Sequence, residues 1–157
     1  LTVIAYRNGI IASDSLMADT NSGSVHFTTE KLFRMANGEV IGCAGDIREY
    51  TRFIEWYESG EFIDSWEPHE EDTFEAICAY SNGCIHYFDN STRAIEIKND
   101  YIAIGIAADV AMGAMYMGAD ADIAVKAACE LNVWCRLPIR IEKISKEESN
   151  NDFSTTS

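Results

Sequence analysis

Asn8-Gly9 constrains this chain more than any other short stretch. It stands between TVIAYR and IIASD, two segments in which β-branched and aromatic residues alternate with smaller ones. A two-residue connection of this kind requires positive φ at both central positions, which Asn and Gly tolerate. It therefore predicts a β-hairpin over residues 2–14. Asn37-Gly38 repeats the signal between a strand region at 25–35 and a returning strand at Glu39–Cys43. Ser81-Asn82-Gly83 repeats it again between strands at Phe74–Tyr80 and Cys84–Phe88. Tight turns join antiparallel neighbours, so the sheets are expected to be mostly antiparallel.

Helices interrupt this pattern in separate blocks. After Gly45 the period changes: Ile47, Tyr50, Phe53, Ile54 and Tyr57 fall on one helical face, and Gly60 ends the segment. Asp46 and Glu49 have the spacing of a capping box. Strands follow at residues 93–98 and Tyr101–Ile104. A helix rich in Ala, Gly and Met covers Ala107–Met117 and must pack closely on its neighbours. Asp120 is placed to cap a second helix running to Leu131, and Ile139–Ile144 forms a last strand. Residues 15–24 read as a polar loop, 61–72 as an acidic loop and 145–157 as a polar, loose tail. Two sheets with helices on their outer faces would bury these apolar faces, giving a four-layer α+β sandwich in one domain over residues 1–144.

Bulk composition narrows the functions. The 157 residues carry 26 acidic and 12 basic side chains, for a formal charge of −14. Such a field repels phosphate backbones and anionic lipid, so neither nucleic acid nor membrane is the expected partner. Residues 1–15 have no signal-peptide pattern, and the five cysteines are an odd number. We read them as reduced thiols in a cytoplasmic protein. The spacings Cys78-x5-Cys84 and Cys129-x5-Cys135 do not match zinc sites, and His26, His69 and His86 show no metal pairing. No metal or cofactor is expected.

Four positions carry potential chemistry. Thr2 is an ordinary strand residue unless its α-amine is free. In that case, with a reference pKa of about 7.7–8.0, the amine could serve as the base that a threonine hydroxyl needs. Lys31 beside it would favour loss of the hydroxyl proton, and Asp14 would fix the lysine; the same two residues could equally form an exposed pair between strands of one sheet. Gly45, where a strand hands over to a helix, either satisfies turn geometry or aims a bare N–H at a developing oxyanion. Cys43, two residues earlier, reads as a packed core thiol that could line a pocket.

Taken together, TVIAYRNGIIASDS, EKLFRM, GEVIGCAGD, and AIG followed by AMGAMYMGADADIAVKAACEL resemble the threonine peptidases of the N-terminal nucleophile (Ntn) hydrolase superfamily. These are the proteasome β-subunits and, more closely, the bacterial HslV peptidase and its short phage-encoded relatives. The 14-residue step from Lys31 to Gly45 is the spacing that family uses between lysine and oxyanion glycine. The resemblance implies an αββα sandwich. It implies Thr2 as nucleophile, Asp14 as the acid orienting Lys31, Lys31 tuning the amine, the Gly45 amide as oxyanion donor, and Cys43 as floor of the pocket before the scissile bond. It further implies cleavage of unfolded protein or peptide inside a homo-oligomeric ring or double ring served by an ATP-driven unfolding partner. Two alternatives accompany it. Leu1 before Thr2, and Ile106 where that family usually has a serine, fit a catalytically silent ring-former; an Ntn amidase acting on small amides also fits.

Overall fold

A computed structural model describes residues 2–18, 26–60, 73–89 and 94–144. Strand β1 (Ile4–Arg7) turns through Asn8 (φ 50°) and Gly9 (φ 75°) into β2 (Ile10–Ser13), as the turn chemistry requires. Then come β3 (Leu16–Ala18), β4 (His26–Thr28), β5 (Leu32–Arg34) and β6 (Val40–Gly45). Helix α1 (Ile47–Ser59) is followed by β7 (Phe74–Ala79), β8 (Ile85–Phe88), β9 (Ile95–Ile97) and β10 (Tyr101–Ile104). Helices α2 (Ala108–Tyr116) and α3 (Ala121–Leu131) and strand β11 (Arg140–Lys143) complete the order.

The strands form one sheet in the order β10-β1-β2-β11, one in the order β5-β6-β7-β8-β9, and the small pair β3-β4. All pairings are antiparallel. Period-two alternation then sorts the side chains into layers. On β1, Ile4 and Tyr6 point between the two large sheets, where they meet Leu32, Val40, Ala44, Ile77 and Ile85. Val3 and Ala5 point the other way, onto Ala111, Met115, Ala124 and Ala128 of α2 and α3. On β6, Ile41 and Cys43 leave the inter-sheet layer to pack under Tyr50 and Phe53 of α1. The order is therefore α2 and α3, sheet, sheet, α1: the expected four-layer sandwich.

Local chemistry explains the helix boundaries, with two departures. Asp46 is the N-cap of α1, but its carboxylate accepts from the Arg48 N–H, and Glu49 bonds Arg52 instead of reaching back. The spacing of a capping box is present without its reciprocal bonds. Asp120 stands at the N-cap of α3, but its side chain makes no capping bond. Gly60 ends α1 at φ 66°, where a left-handed residue returns its N–H to the Tyr57 carbonyl. The region 15–24 is not all loop, since Leu16–Ala18 pairs with β4. The acidic segment 61–72 and the tail 145–157 lie outside the described residues.

Candidate active site

Three segments converge at one end of the sandwich. Thr2 leads into β1 and is buried. Asp14 follows β2, and Lys31 precedes β5. Lys31 Nζ donates to Thr2 Oγ1 at 3.0 Å and to Asp14 Oδ1 at 2.8 Å. Here the structure corrects the sequence reading in two respects. Lys31 and Asp14 do not share a sheet: Asp14 directly follows a strand of the four-stranded sheet, while Lys31 leads into the edge strand of the five-stranded one. Nor is the pair exposed, because both side chains have 0% accessibility. The lysine reaches across the sandwich to the nucleophile candidate.

Asp14 is held on every side. Oδ1 also accepts the Val3 N–H at 3.1 Å, and Oδ2 accepts the N–H groups of Leu16 and Arg136, each at 3.2 Å. Desolvating two ions costs several kcal/mol each, and their attraction offsets this only when geometry and further hydrogen bonds are good. The backbone donors supply that support. Burial still dominates at Lys31, holding its pKa below the ordinary 10.5, while the charge and hydrogen bond of Asp14 pull it upward. A lysine that gives up its proton more readily, 3.0 Å from a hydroxyl, is suited to steering a proton at that oxygen.

Gly45 ends β6 opposite Phe74 at φ 107°. A β-carbon there would stand 2.1 Å from the Thr73 carbonyl oxygen, so only glycine fits. The turn-geometry reading of Gly45 therefore holds as a structural fact, whatever its amide does chemically. Cys43 is fully buried between β6 and α1, and burial raises its thiol pKa. Its N–H donates to the Lys31 carbonyl at 2.9 Å, which ties β6 to the lysine. The Tyr50 hydroxyl is buried without a hydrogen-bond partner among the described residues. Burial raises this phenol, and Thr2 beside it counters part of the rise.

Arg136 and Tyr50 are not singled out from the sequence, and Gly105 only as the glycine before Ile106. Gly105, at φ 98°, lies against the Thr2 carbonyl, and the Ala107 N–H donates to that same oxygen at 3.4 Å. Arg136 contributes through its backbone from the segment after α3, far away in sequence, and no motif marks it. Tyr50 is read from the sequence only as part of a helix face. Ile106 is 52% exposed beside this turn. Leu1 lies outside the described residues. A recess lined by Tyr6, Gly9, Tyr80, Gly83 and Lys98 sits at the opposite end of β1, away from these groups. Among the described residues no group of three or more His, Cys, Asp or Glu side chains could hold a metal ion, and no helix is long and apolar enough to cross a membrane.

This arrangement sits in a known fold. No protein-family model and no curated protein matches the chain, but solved structures do. Eukaryotic HslV from Trypanosoma brucei superposes with a TM-score of 0.71 at 18% identity, covering 90% of this chain and 97% of that one. Thiobacillus denitrificans BPH gives 0.66 at 17% identity, covering 92% and 98%. A second BPH structure, in complex with epoxomicin, gives the same values. The chain thus has the HslV-like fold, a four-layer sandwich.

Proposed function

We propose that this chain is a threonine peptidase of the HslV type, with Thr2 as its nucleophile. The observation that carries the reading is the lysine bridge: Lys31 Nζ joins Thr2 Oγ1 to Asp14 Oδ1 in full burial. A purely structural protein gains little from such a pair, since apolar side chains of similar volume are often as stable. That cost also weighs against the silent ring-former.

In this reading Leu1 is removed and the freed Thr2 amine accepts the Oγ1 proton. The Lys31 ammonium stabilises the forming alkoxide, while Asp14 keeps the ammonium in place. Oγ1 attacks the peptide carbonyl, and the resulting oxyanion takes a hydrogen bond from the Gly45 amide. Collapse passes the proton from the amine to the leaving nitrogen and leaves an ester on Thr2. Water, deprotonated by the same amine, hydrolyses that ester. Cys43 and Tyr50 back the pocket for the residue before the scissile bond. The substrate is unfolded protein or peptide, and the chain works in the cytoplasm as a homo-oligomeric ring fed by an ATP-driven unfolding partner.

The test is intact mass after exposure to a β-lactone. The expected result is a single adduct on Thr2 in molecules that begin at Thr2, with none in Thr2→Ala. Protein that demonstrably begins at Thr2, forms no adduct and cleaves no unfolded substrate would overturn the proposal.

A further inference from the structure

Strand β7 is an apolar strand with one acidic residue. Phe74, Ala76, Ile77, Cys78 and Ala79 are buried, and Glu75 is half-buried among them. Alternation places Glu75 on the same side as Ile77 and Ala79, which face the inter-sheet layer. A carboxylate aimed into that layer needs partners. It has two. Oε1 accepts the Gly105 N–H at 3.3 Å, across the sandwich, and Oε2 accepts the Tyr87 hydroxyl at 3.2 Å. Tyr87 lies on β8, next to β7, where burial and the Glu75 charge push its phenol up to about 12, so it stays a donor at neutral pH.

The two ends of this link matter. Glu75 stands opposite Ala44, one residue from Gly45, in the β6-β7 register. Gly105 lies against the Thr2 carbonyl, and the Ala107 N–H two residues on bonds the same oxygen. One carboxylate therefore connects the glycine beside the nucleophile to the strand pair that ends in the oxyanion glycine. These glycines belong to different sheets, and their separation depends on how the sheets sit on each other at this end.

We infer that Glu75 is a positioning residue: it ties the Gly105 turn, and with it Thr2, to the strand end that carries Gly45, and so sets the distance between nucleophile and oxyanion donor. The inference rests on the threonine-peptidase reading. Glutamine preserves the arrangement, since its amide oxygen accepts from Gly105 and its NH2 can donate to the Tyr87 oxygen. Alanine removes both bonds.

The test compares wild type, Glu75→Ala and Glu75→Gln as full chains in their native assembly. Hydrogen exchange on peptides spanning residues 101–107 reads the tie itself. Loss of the bond is expected to speed exchange at the Gly105 amide by about tenfold or more in Glu75→Ala, with Glu75→Gln close to wild type. Inactivation by a β-lactone, followed against its concentration, reads the positioning. The maximal rate should fall about 10- to 100-fold in Glu75→Ala, while the half-saturating concentration stays within about twofold, and Glu75→Gln should recover the rate. Unchanged exchange in Glu75→Ala overturns the inference, as does faster exchange with an unchanged maximal rate. A wild-type protein that begins at Thr2 and forms no adduct overturns the peptidase reading instead; the exchange arm still decides whether Glu75 holds the Gly105 turn.

Discussion

Gly105 and Thr2 touch backbone to backbone: a β-carbon on Gly105 would stand 2.1 Å from the Thr2 carbonyl oxygen and 2.6 Å from its carbonyl carbon. Neither neighbour is the end of a flexible side chain, so nothing gives way cheaply. The glycine's φ of 98° adds strain for any L side chain. Gly105→Ala should therefore destabilise the protein by more than about 1 kcal/mol, and it should move Thr2 away from Lys31. Urea unfolding and a crystal structure of the variant check both points. A variant as stable as wild type, with Thr2 in place, would show that the contact does not exist.

The buried pair makes its own prediction. Lys31→Met leaves the Asp14 carboxylate buried with its backbone donors and no cation from Lys31, a change expected to cost about 3–5 kcal/mol. Replacing both, as in Lys31→Met with Asp14→Asn, should recover a large part of that loss, since the amide oxygen still accepts backbone N–H groups at this site, while abolishing any chemistry at Thr2. Urea unfolding of the two single variants and the double variant gives the coupling. Additive effects would mean that the 2.8 Å contact contributes nothing.

Alkaline pH should weaken the fold. Cys78 is buried and its thiol is pushed up to about 11 from an ordinary 9.0, while burial also raises the phenols of Tyr50 and Tyr57. Between pH 9 and 11 the unfolded thiol has lost its proton and the folded one keeps it, so the folded state binds more protons and stability falls as pH rises. Lys31 works in the opposite sense. Its folded pKa lies below 10.5, so in the window just under 10.5 the unfolded chain binds more protons and this group alone makes stability rise with pH. The thiols and phenols outnumber it, and the net slope should be negative above pH 9. Unfolding free energies at intervals from pH 7 to 10.5 measure it, and Cys78→Ala should make the slope shallower. A rising slope would reverse the assignment.

Arg7 closes the far end of α2. One guanidinium nitrogen donates to the Met115 carbonyl at 2.8 Å and the Ala119 carbonyl at 2.9 Å, and the group lies 5.4 Å from the centre of the Tyr101 ring. These are carbonyls at and just beyond the helix C-terminus, where a cation is favoured. Arg7→Met should cost about 1–3 kcal/mol, with faster hydrogen exchange confined to residues 114–119. Unaltered exchange there would remove Arg7 from the helix cap.

Much of the fold was legible in the sequence, because its rules are local. Asn8-Gly9 forces the first hairpin by backbone sterics, and Gly60 ends α1 for the same reason. The helical spacing of Tyr50 and Phe53 puts both on the buried face. Legibility stopped where hydrogen bonds rather than patterns decide. Asp46 and Glu49 have the spacing of a capping box, but Arg48 and Arg52 compete for their carboxylates. Leu16–Ala18 is too short to show alternation and becomes a strand only because β4 comes to lie beside it.

For the site, the sequence by itself determined the residue types and their order: a threonine, an acid, a lysine and a glycine. It could not say that the lysine crosses from one sheet to the other, that the pair is sealed from water, or that Gly105, Glu75 and the Arg136 backbone join it. Those facts depend on how two sheets stack, and stacking is fixed by side chains scattered over the whole chain. A residue's own neighbours dictate its backbone; only packing dictates which distant charge it meets and how much water is left between them.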